Sequence, residues 1–231
     1  MGKAADLNKE PGDIAKMFDG VAKRYDLLND LLSLGRTKAW RRVATGIIAP
    51  KNEMKILDIA AGTGSSSKPL ADAGADVIAL DFSEGMLAAG RRRNPQLKFL
   101  HGDALKLPFA ADQFDVTTIS FGLRNTSDST AALREAFRVT KSGGRMIVVE
   151  FSHPTNKIFQ IIYMRYLMKA LPIIARKTAS NPDAYVYLAE SIQAWPNQKG
   201  LAHQMEGAGW KRVAWQNLTG GIVAVHIGHK D

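Results

Sequence analysis

The sequence predicts an α/β protein with a doubly wound, mostly parallel seven-stranded sheet that includes a C-terminal antiparallel strand. Two observations and one general rule on strand connections predict this class. Short apolar segments alternate with helix-like segments between residues 55 and 151. Parallel strands require crossover connections of one hand, which cover both faces of the sheet. Near the C-terminus, two strand-like segments at 210–216 and 222–228 flank a glycine-rich turn, which indicates an antiparallel pair.

The parallel part of the sheet is predicted from five apolar segments, several of them rich in β-branched residues. These segments are residues 55–60, 77–81, 97–101, 114–120 and 145–151. Helices are expected between them. Residues 66–73 follow a glycine-rich turn, and Ser83 is a suitable N-cap for a helix over 84–92. Leu133, Ala136 and Phe137 have the spacing of one helical face, and the Ser-Gly-Gly at 142–144 is expected to end that helix.

Two segments are expected to elaborate this core. Residues 1–50 are predicted as an N-terminal helical lid on an α/β domain that spans 51–231, with a helical insertion at about 154–190. The insertion is basic and apolar, with no acidic residue from 151 to 182. It is also too often interrupted by charge and proline to span a membrane. A helix on an anionic membrane surface, a cover for the sheet and a homodimer contact are all compatible with this pattern.

The amino-acid composition and net charge exclude several kinds of site and partner. The 231 residues include no cysteine, which excludes disulfides, thiolate metal sites and a cysteine nucleophile. The histidines show no metal-ligand spacing, so no metal is expected. The net charge of +9 allows an anionic partner. Nucleic acid is not expected, since basic and aromatic residues are not interleaved. The first residues lack an apolar run, so we expect a cytoplasmic protein, with association to the inner face of the membrane as an alternative.

Acidic residues and glycines follow three successive predicted strands. Gly62 and Gly64 form a G-x-G turn after the first, but Ser67 replaces the third glycine of a dinucleotide fingerprint, which weakens an NAD or FAD reading. Asp81 ends the second strand, where a carboxylate can accept hydrogen bonds from both ribose hydroxyls. Asp103 follows the third strand and can accept an adenine amine. Each residue alone is equally typical of a turn or cap, but together they predict an adenosine pocket without pyrophosphate-binding machinery.

This combination resembles the class I S-adenosylmethionine-dependent methyltransferases and implies their Rossmann-like fold and their cofactor. The resemblance implies cofactor contacts from nine residues: Asp58, Gly62, Thr63, Gly64, Asp81, Phe82, Asp103, Ala104 and Ser120. Ala60 stands where the family usually has its first loop glycine. An alanine is tolerable there if its backbone φ is negative.

Four further segments, at 25–42, 121–125, 150–154 and 220–226, resemble the ubiquinone/menaquinone biosynthesis C-methyltransferases, with the demethylmenaquinone branch closest. The likeness spans about residues 14 to 230. It implies methyl transfer to a ring carbon of a prenylated demethylmenaquinol, giving menaquinol. The alternatives are a ubiquinone-pathway benzoquinol, another small-molecule or RNA substrate, and a non-catalytic nucleotide-binding protein that keeps the fold.

The resemblance also implies acceptor-site residues. Arg124 is expected to hold a quinol oxygen as an anion, and Asn125 to orient the same oxygen or a water. Tyr25 is expected to come from the lid, and His153 to act as a proton acceptor. The competing interpretations are a solvated loop arginine or anion site for Arg124, a packing role for Tyr25 and a structural role for His153.

Overall fold

The computed structural model describes residues 35–170 and 182–231 of the chain. Within these ranges one sheet contains seven strands: β1 (Lys55–Ile59), β2 (Asp76–Asp81), β3 (Lys98–His101), β4 (Phe114–Ser120), β5 (Thr140–Phe151), β6 (Lys211–Leu218) and β7 (Val223–His229). The α-helices are α1 (Thr37–Ile48), α2 (Ser67–Asp72), α3 (Glu84–Arg93), α4 (Ser129–Val139), α5 (Lys157–Arg165), α6 (Pro182–Ala194) and α7 (Gln198–Gly207). A π-helical turn (Tyr166–Ala170) extends α5, and short 3-10 turns lie at Leu123–Asn125 and Thr219–Gly221.

The sheet has the strand order β3-β2-β1-β4-β5-β7-β6. Neighbouring strands are parallel from β3 to β5, and β7 is antiparallel to both β5 and β6. The predicted fold class is therefore confirmed. The direction of winding reverses between β1 and β4, and ligands of open α/β sheets bind in the crevice that such a reversal leaves at the carboxyl ends of the strands.

Local signals explain where several helices begin. The predicted N-cap Ser83 is confirmed, since its hydroxyl accepts from the Met86 N–H at 3.1 Å. Asp128 caps α4 through the Ala131 N–H, and Asn156 caps α5 through two backbone N–H groups. Short polar side chains thus satisfy helix-end N–H groups that have no intrahelical partner.

Two sequence-based assignments differ from the structure. Strand β5 begins at Thr140, not at residue 145, because the Ser-Gly-Gly segment stays in the sheet with a register shift between Phe114 and Val116 of β4. Gly143 adopts φ +79° and its N–H donates to the Lys230 carbonyl at 2.7 Å, so the segment is an irregular strand. Helix α7 was not predicted, because its two glycines conceal the helical pattern.

Helix α1 packs on the face of the sheet that also carries α5 and α6. Trp40 lies in the core against Phe121 and Phe151, and its indole N–H donates to Thr219 Oγ1 at 2.8 Å. Residues 37–48 of the predicted lid are therefore held against the body of the domain. The lid itself and its boundary at residue 50 remain predictions, because residues 1–34 lie outside the described chain.

The predicted insertion contains α5, the π-helical turn and most of α6. Tyr163 and Leu167 from its first half are buried in the same core as Trp40. In the two described ranges, no helix is both long enough and apolar enough to cross a membrane. Helices α4 and α7 cover the opposite face of the sheet with Leu133, Met205 and their neighbours.

Candidate functional site

The carboxyl ends of β1 and β4 open into a cleft beneath α1. Its lining residues are Arg41, Ala60, Ala61, Gly62, Thr63, Ser65, Ser66, Ser120 and Phe121. Two predicted cofactor residues of the glycine loop, Gly62 and Thr63, are thus brought together with a third, Ser120, which is far from them in the chain. Arg41, which was not predicted as a site residue, lines the cleft from α1.

Asp81 joins the end of β2 to the glycine loop after β1. Its Oδ2 accepts from the Gly62 N–H at 2.7 Å, and its Oδ1 accepts from the Ser83 N–H at 2.8 Å. A carboxylate has about four acceptor positions, so these backbone contacts are compatible with further contacts to a ribose. The carboxylate therefore fixes the loop after β1 to the end of β2.

Asp58 lies one residue before the end of β1 and is completely buried. The Ser67 hydroxyl donates to its Oδ2 at 2.6 Å, whereas Oδ1 is buried with no hydrogen-bond partner among the described residues. The pKa of Asp58 is raised to about 7, mainly by burial; the Asp81 charge also raises this pKa, whereas the Ser67 hydrogen bond and the Arg41 charge lower it. A cation near Oδ1 would favour the ionised carboxylate.

The other predicted cofactor residues follow β2 and β3. The Phe82 side chain is 38% exposed, which is unusual for a large apolar ring, and its carbonyl contacts His101 Nε2 at 3.0 Å. Asp103 Oδ1 accepts from the Leu105 N–H at 2.9 Å, which is the local turn that the sequence alternative described. Ala104 is nearly buried beside it, and Gly64, at φ +76°, continues the loop after Gly62.

Two residues at neighbouring strand ends have left-handed backbones. Ala60 follows β1 at φ +53° and Phe121 follows β4 at φ +60°. The condition under which an alanine would be tolerable, a negative φ at Ala60, is therefore not met, because the turn keeps the conformation that a glycine would adopt freely. A left-handed backbone costs a non-glycine residue about 1–2 kcal/mol, and such strain clusters at functional sites. In this protein both strained residues lie at the mouth of the cleft.

Gly122 provides a stability test of this arrangement. A Cβ at Gly122 would lie 2.5 Å from the Ala60 Cβ, although its own φ of −112° suits any residue. We expect Gly122→Ala to lower the free energy of unfolding by about 1–3 kcal/mol through overpacking. Adding Ala60→Gly should restore most of the loss, since it removes the opposing Cβ.

Urea unfolding of the two single variants and the double variant measures this coupling. Ala60→Gly alone should leave stability close to that of the unmodified protein, because relief of the left-handed strain offsets the greater freedom of glycine in the unfolded chain. A double variant as unstable as Gly122→Ala would rule out the contact as the cause.

Arg124 lies in the 3-10 turn after β4 and is 1% exposed. The interpretation as a solvated loop arginine is therefore wrong. Its Nη1 donates to the Phe121 carbonyl at 2.7 Å and to Glu150 Oε1 at 2.8 Å. The Nε and Nη2 nitrogens are buried without a hydrogen-bond partner in the described chain. The guanidinium carbon lies 5.2 Å from the Phe151 ring centroid.

Glu150 was missed as a site residue, although a lone acid within the apolar segment at 145–151 is a signal that could have identified it. It is 1% exposed near the end of β5. Besides Arg124 Nη1, its Oε1 accepts from the Phe151 N–H at 2.8 Å, and its Oε2 accepts from the Arg124 N–H at 3.3 Å. Removing one partner of a buried pair leaves a charge unpaired, at a cost of about 3–5 kcal/mol.

The insertion supplies a wall near Arg124 and Asn125. Asn125 Nδ2 donates to the Phe121 carbonyl at 3.4 Å, and Asn125 Oδ1 accepts from the Tyr187 hydroxyl of α6 at 3.5 Å. Burial raises the pKa of Tyr187 and of Tyr163 of α5, while the Arg124 charge opposes the rise in both. Both tyrosines are therefore neutral at ordinary pH. Sequence reasoning did not identify either as a site residue.

His153 follows β5 and is half-buried. Its Nε2 lies 2.8 Å from the Trp195 carbonyl, which can only accept, so Nε2 carries the hydrogen. Its Nδ1 lies 3.5 Å from the Gln160 amide nitrogen, which can donate to it. The predicted Tyr25 lies outside the described residues. No group of three or more histidine or acidic side chains that could hold a metal ion occurs in the parts of the chain that are described.

Comparisons with known proteins agree with this geometry. The model of the ubiE/COQ5 methyltransferase family matches residues 5–230. A demethylmenaquinone methyltransferase of Streptomyces avermitilis is 57% identical over 98% of this chain and 98% of its own length. One of Mycolicibacterium paratuberculosis is 57% identical over 98% of this chain and 97% of its own.

Solved structures share the fold at low identity. A SAM-dependent methyltransferase of Thermotoga maritima superposes with a TM-score of 0.68 at 19% identity, covering 94% of this chain and 100% of the other. The match of the family model over nearly the whole sequence, together with full-length relatives above half identity, confirms the predicted family: the chain belongs to the ubiE/COQ5 methyltransferases.

Proposed function

We propose that this protein transfers a methyl group from S-adenosylmethionine to a ring carbon of a prenylated demethylmenaquinol, giving menaquinol. The observation that carries the proposal is the buried Arg124, which lies just beyond the carboxyl end of β4 and has two guanidinium nitrogens without a hydrogen-bond partner among the described residues. Such a group is suited to hold an oxygen anion of an acceptor. The names of the full-length relatives favour a naphthoquinol over a benzoquinol as that acceptor.

The strand ends provide groups that match the parts of the cofactor, which supplies an electrophilic methyl group on sulfur. Asp81 would hold the ribose hydroxyls, and the exposed Phe82 ring would stack on the adenine. Asp103 would accept the adenine amine, with Ala104 as an apolar neighbour.

The methionine end of the cofactor would lie over the glycine loop. Gly62, Thr63 and Gly64 would allow close backbone approach, and Ser120 would line the opposite wall. Asp58 Oδ1 is buried with no hydrogen-bond partner in the part of the chain that the structure describes, and the pKa of this carboxyl is raised to about 7, so a nearby ammonium would favour its ionised form. The residues present therefore fit the cofactor.

Acceptor activation is the main chemical task of the protein. A neutral hydroquinol carbon is a weak nucleophile, and loss of a phenolic proton makes the ring electron-rich. Arg124 would hold the resulting oxygen anion and lower its pKa, with Asn125 orienting the same oxygen. The ring carbon gains the methyl group and loses its hydrogen, so each turnover releases one proton overall.

His153 and Tyr25 complete the proposed acceptor site. The Trp195 carbonyl fixes the hydrogen of His153 on Nε2, so Nδ1 would accept a proton from the acceptor after releasing the Gln160 amide. Tyr25 would close the site from the N-terminal lid.

A methyl-transfer assay tests the function. A short-tailed demethylnaphthoquinol is incubated with the protein and S-adenosylmethionine under reducing conditions, and the product is analysed by mass spectrometry. We expect one added methyl group, with faster turnover than on a matched benzoquinol. Faster turnover on the benzoquinol would indicate that the acceptor is a benzoquinol, the alternative substrate class. Absence of transfer to either quinol by a protein that binds S-adenosylmethionine would contradict the proposal.

We also propose that helix α5 meets the cytoplasmic face of an anionic membrane, from which a lipid-tailed quinol must be taken. Ile158, Ile161 and Ile162 are 71%, 54% and 59% exposed, and their spacing places them on one side of the helix. Arg165 continues that side one turn later, and Lys157 begins the helix. Exposed apolar residues beside basic ones are typical of interfacial helices.

Vesicle sedimentation measures this contact. We expect binding to phosphatidylglycerol vesicles that weakens as salt rises, and the change of Ile161 and Ile162 to serine should reduce it at least about tenfold through lost apolar burial. Trp215→Ser is the matched control, because Trp215 is an exposed apolar residue on another element, β6, where its ring stacks on His226. Unchanged sedimentation of the double variant would contradict the membrane role. Loss of a dimer in size-exclusion chromatography would instead indicate a subunit contact.

A further inference from the structure

We infer that Glu150 is a positioning residue that holds Arg124 by one nitrogen, so that the opposite edge of the guanidinium is presented to the acceptor oxygen. The inference rests on the proposed function and extends it to a residue that does not itself touch substrate. The inference is based on a difference between the three guanidinium nitrogens of Arg124. Nη1 donates two hydrogen bonds, whereas Nε and Nη2 have no hydrogen-bond partner among the described residues.

The two nitrogens without a partner lie on the same edge of the planar guanidinium. Both acceptors, the Phe121 carbonyl and Glu150 Oε1, lie on Nη1. In a planar guanidinium, Nε and Nη2 share the edge from which two parallel N–H bonds point, which is the edge that binds oxyanions bidentately. The whole of this edge is left without a hydrogen-bond partner in the described structure.

A pair that served stability alone would be expected to use the bidentate edge, since that arrangement forms two charge-assisted hydrogen bonds. Here the carboxylate makes only one hydrogen bond with the guanidinium. Its remaining contacts, to the Arg124 and Phe151 N–H groups, fix the carboxylate itself to the backbone. Glu150 therefore acts as a rigid anchor for Nη1.

The electrostatics of the pair provide a distinguishing readout. Glu150 offsets the charge of Arg124, and the facing side chains of Tyr163 on α5 and Tyr187 on α6 are neutral because burial raises the pKa of both phenols. Replacing Glu150 with glutamine keeps a carbonyl oxygen for Nη1 but removes the compensating charge. The uncompensated guanidinium would then stabilise an acceptor anion more strongly.

The experiment compares Glu150→Gln, Glu150→Ala and a matched control, Glu135→Gln, in the full-length protein with S-adenosylmethionine and the short-tailed naphthoquinol. Glu135 belongs to a different ion pair, with Arg138, and also accepts from the Leu107 N–H. For Glu150→Gln we expect the acidic limb of the kcat profile to move about one pH unit lower, with the maximal kcat within about tenfold of the unmodified enzyme. For Glu150→Ala we expect about a 100-fold loss of kcat, because Arg124 is no longer oriented.

Cofactor affinity should change by less than about threefold in both Glu150 variants, and Glu135→Gln should keep the original pH profile. An unmoved acidic limb in Glu150→Gln would overturn the inference, as would a parallel loss of cofactor affinity and kcat. If Glu150→Ala does not fold, the profile of Glu150→Gln decides alone. If an Arg124 variant kept full turnover, the proposed acceptor role of Arg124 itself would be refuted. If the Arg124 variant were impaired but both Glu150 variants behaved like the unmodified enzyme, only the positioning role of Glu150 would be refuted.

Discussion

Replacing Arg124 with lysine is expected to lower kcat about 100-fold, the scale reported for loss of a preorganised donor to a developing oxyanion. Lysine keeps the positive charge and can still pair with Glu150, so the buried carboxylate is not left alone. It has no planar fork, however, and an ammonium engaged with Glu150 presents no second rigid edge to an acceptor oxygen. The loss should appear in kcat with little change in cofactor affinity, since Arg124 would contact the acceptor.

Arg138→Lys is the matched control, because Arg138 also contacts a carboxylate and backbone carbonyls but lies at the Leu107–Phe109 loop. Steady-state kinetics with the naphthoquinol, together with calorimetry for S-adenosylmethionine, separate the two effects. Turnover of Arg124→Lys equal to that of Arg138→Lys would exclude Arg124 as the oxyanion donor. A fall in cofactor affinity as large as the fall in kcat would show that the change disturbs the whole cleft.

The clustering of several candidate cofactor residues could be predicted from the sequence because it depends on topology. Parallel strands end at the same edge of a sheet, so polar residues after successive strands are brought together whatever their separation in the chain. The contact between Asp81 and the Gly62 N–H, across 19 residues, is an example. Ser120, which the resemblance implied, lies beside Gly62 and Thr63 because it ends β4, the strand next to β1.

Side-chain environments could not be predicted in this way. An arginine after a strand is usually solvated, and only the packing of Phe151, Glu150 and the insertion shows that Arg124 is buried. Tyr187 reaches Asn125 through a tertiary contact across 62 residues, which leaves no local pattern. The left-handed backbone of Ala60 was also concealed, because alanine rarely adopts that conformation and the surrounding turn imposes it.

Replacing Asp81 with alanine should weaken S-adenosylmethionine binding about 100-fold, because two charge-assisted hydrogen bonds to ribose hydroxyls would be lost. The variant also removes the acceptor of the Gly62 and Ser83 N–H groups, so the loop after β1 should loosen and the melting temperature should fall. Asp76→Ala is the matched control: Asp76 begins the same strand that Asp81 ends, and it forms an exposed ion pair with Lys98. Calorimetry should give unchanged affinity for the control. Equal affinities for the two variants would mean that the carboxylate at the end of β2 orders the loop without contacting the cofactor, and the proposed ribose site would have to be abandoned.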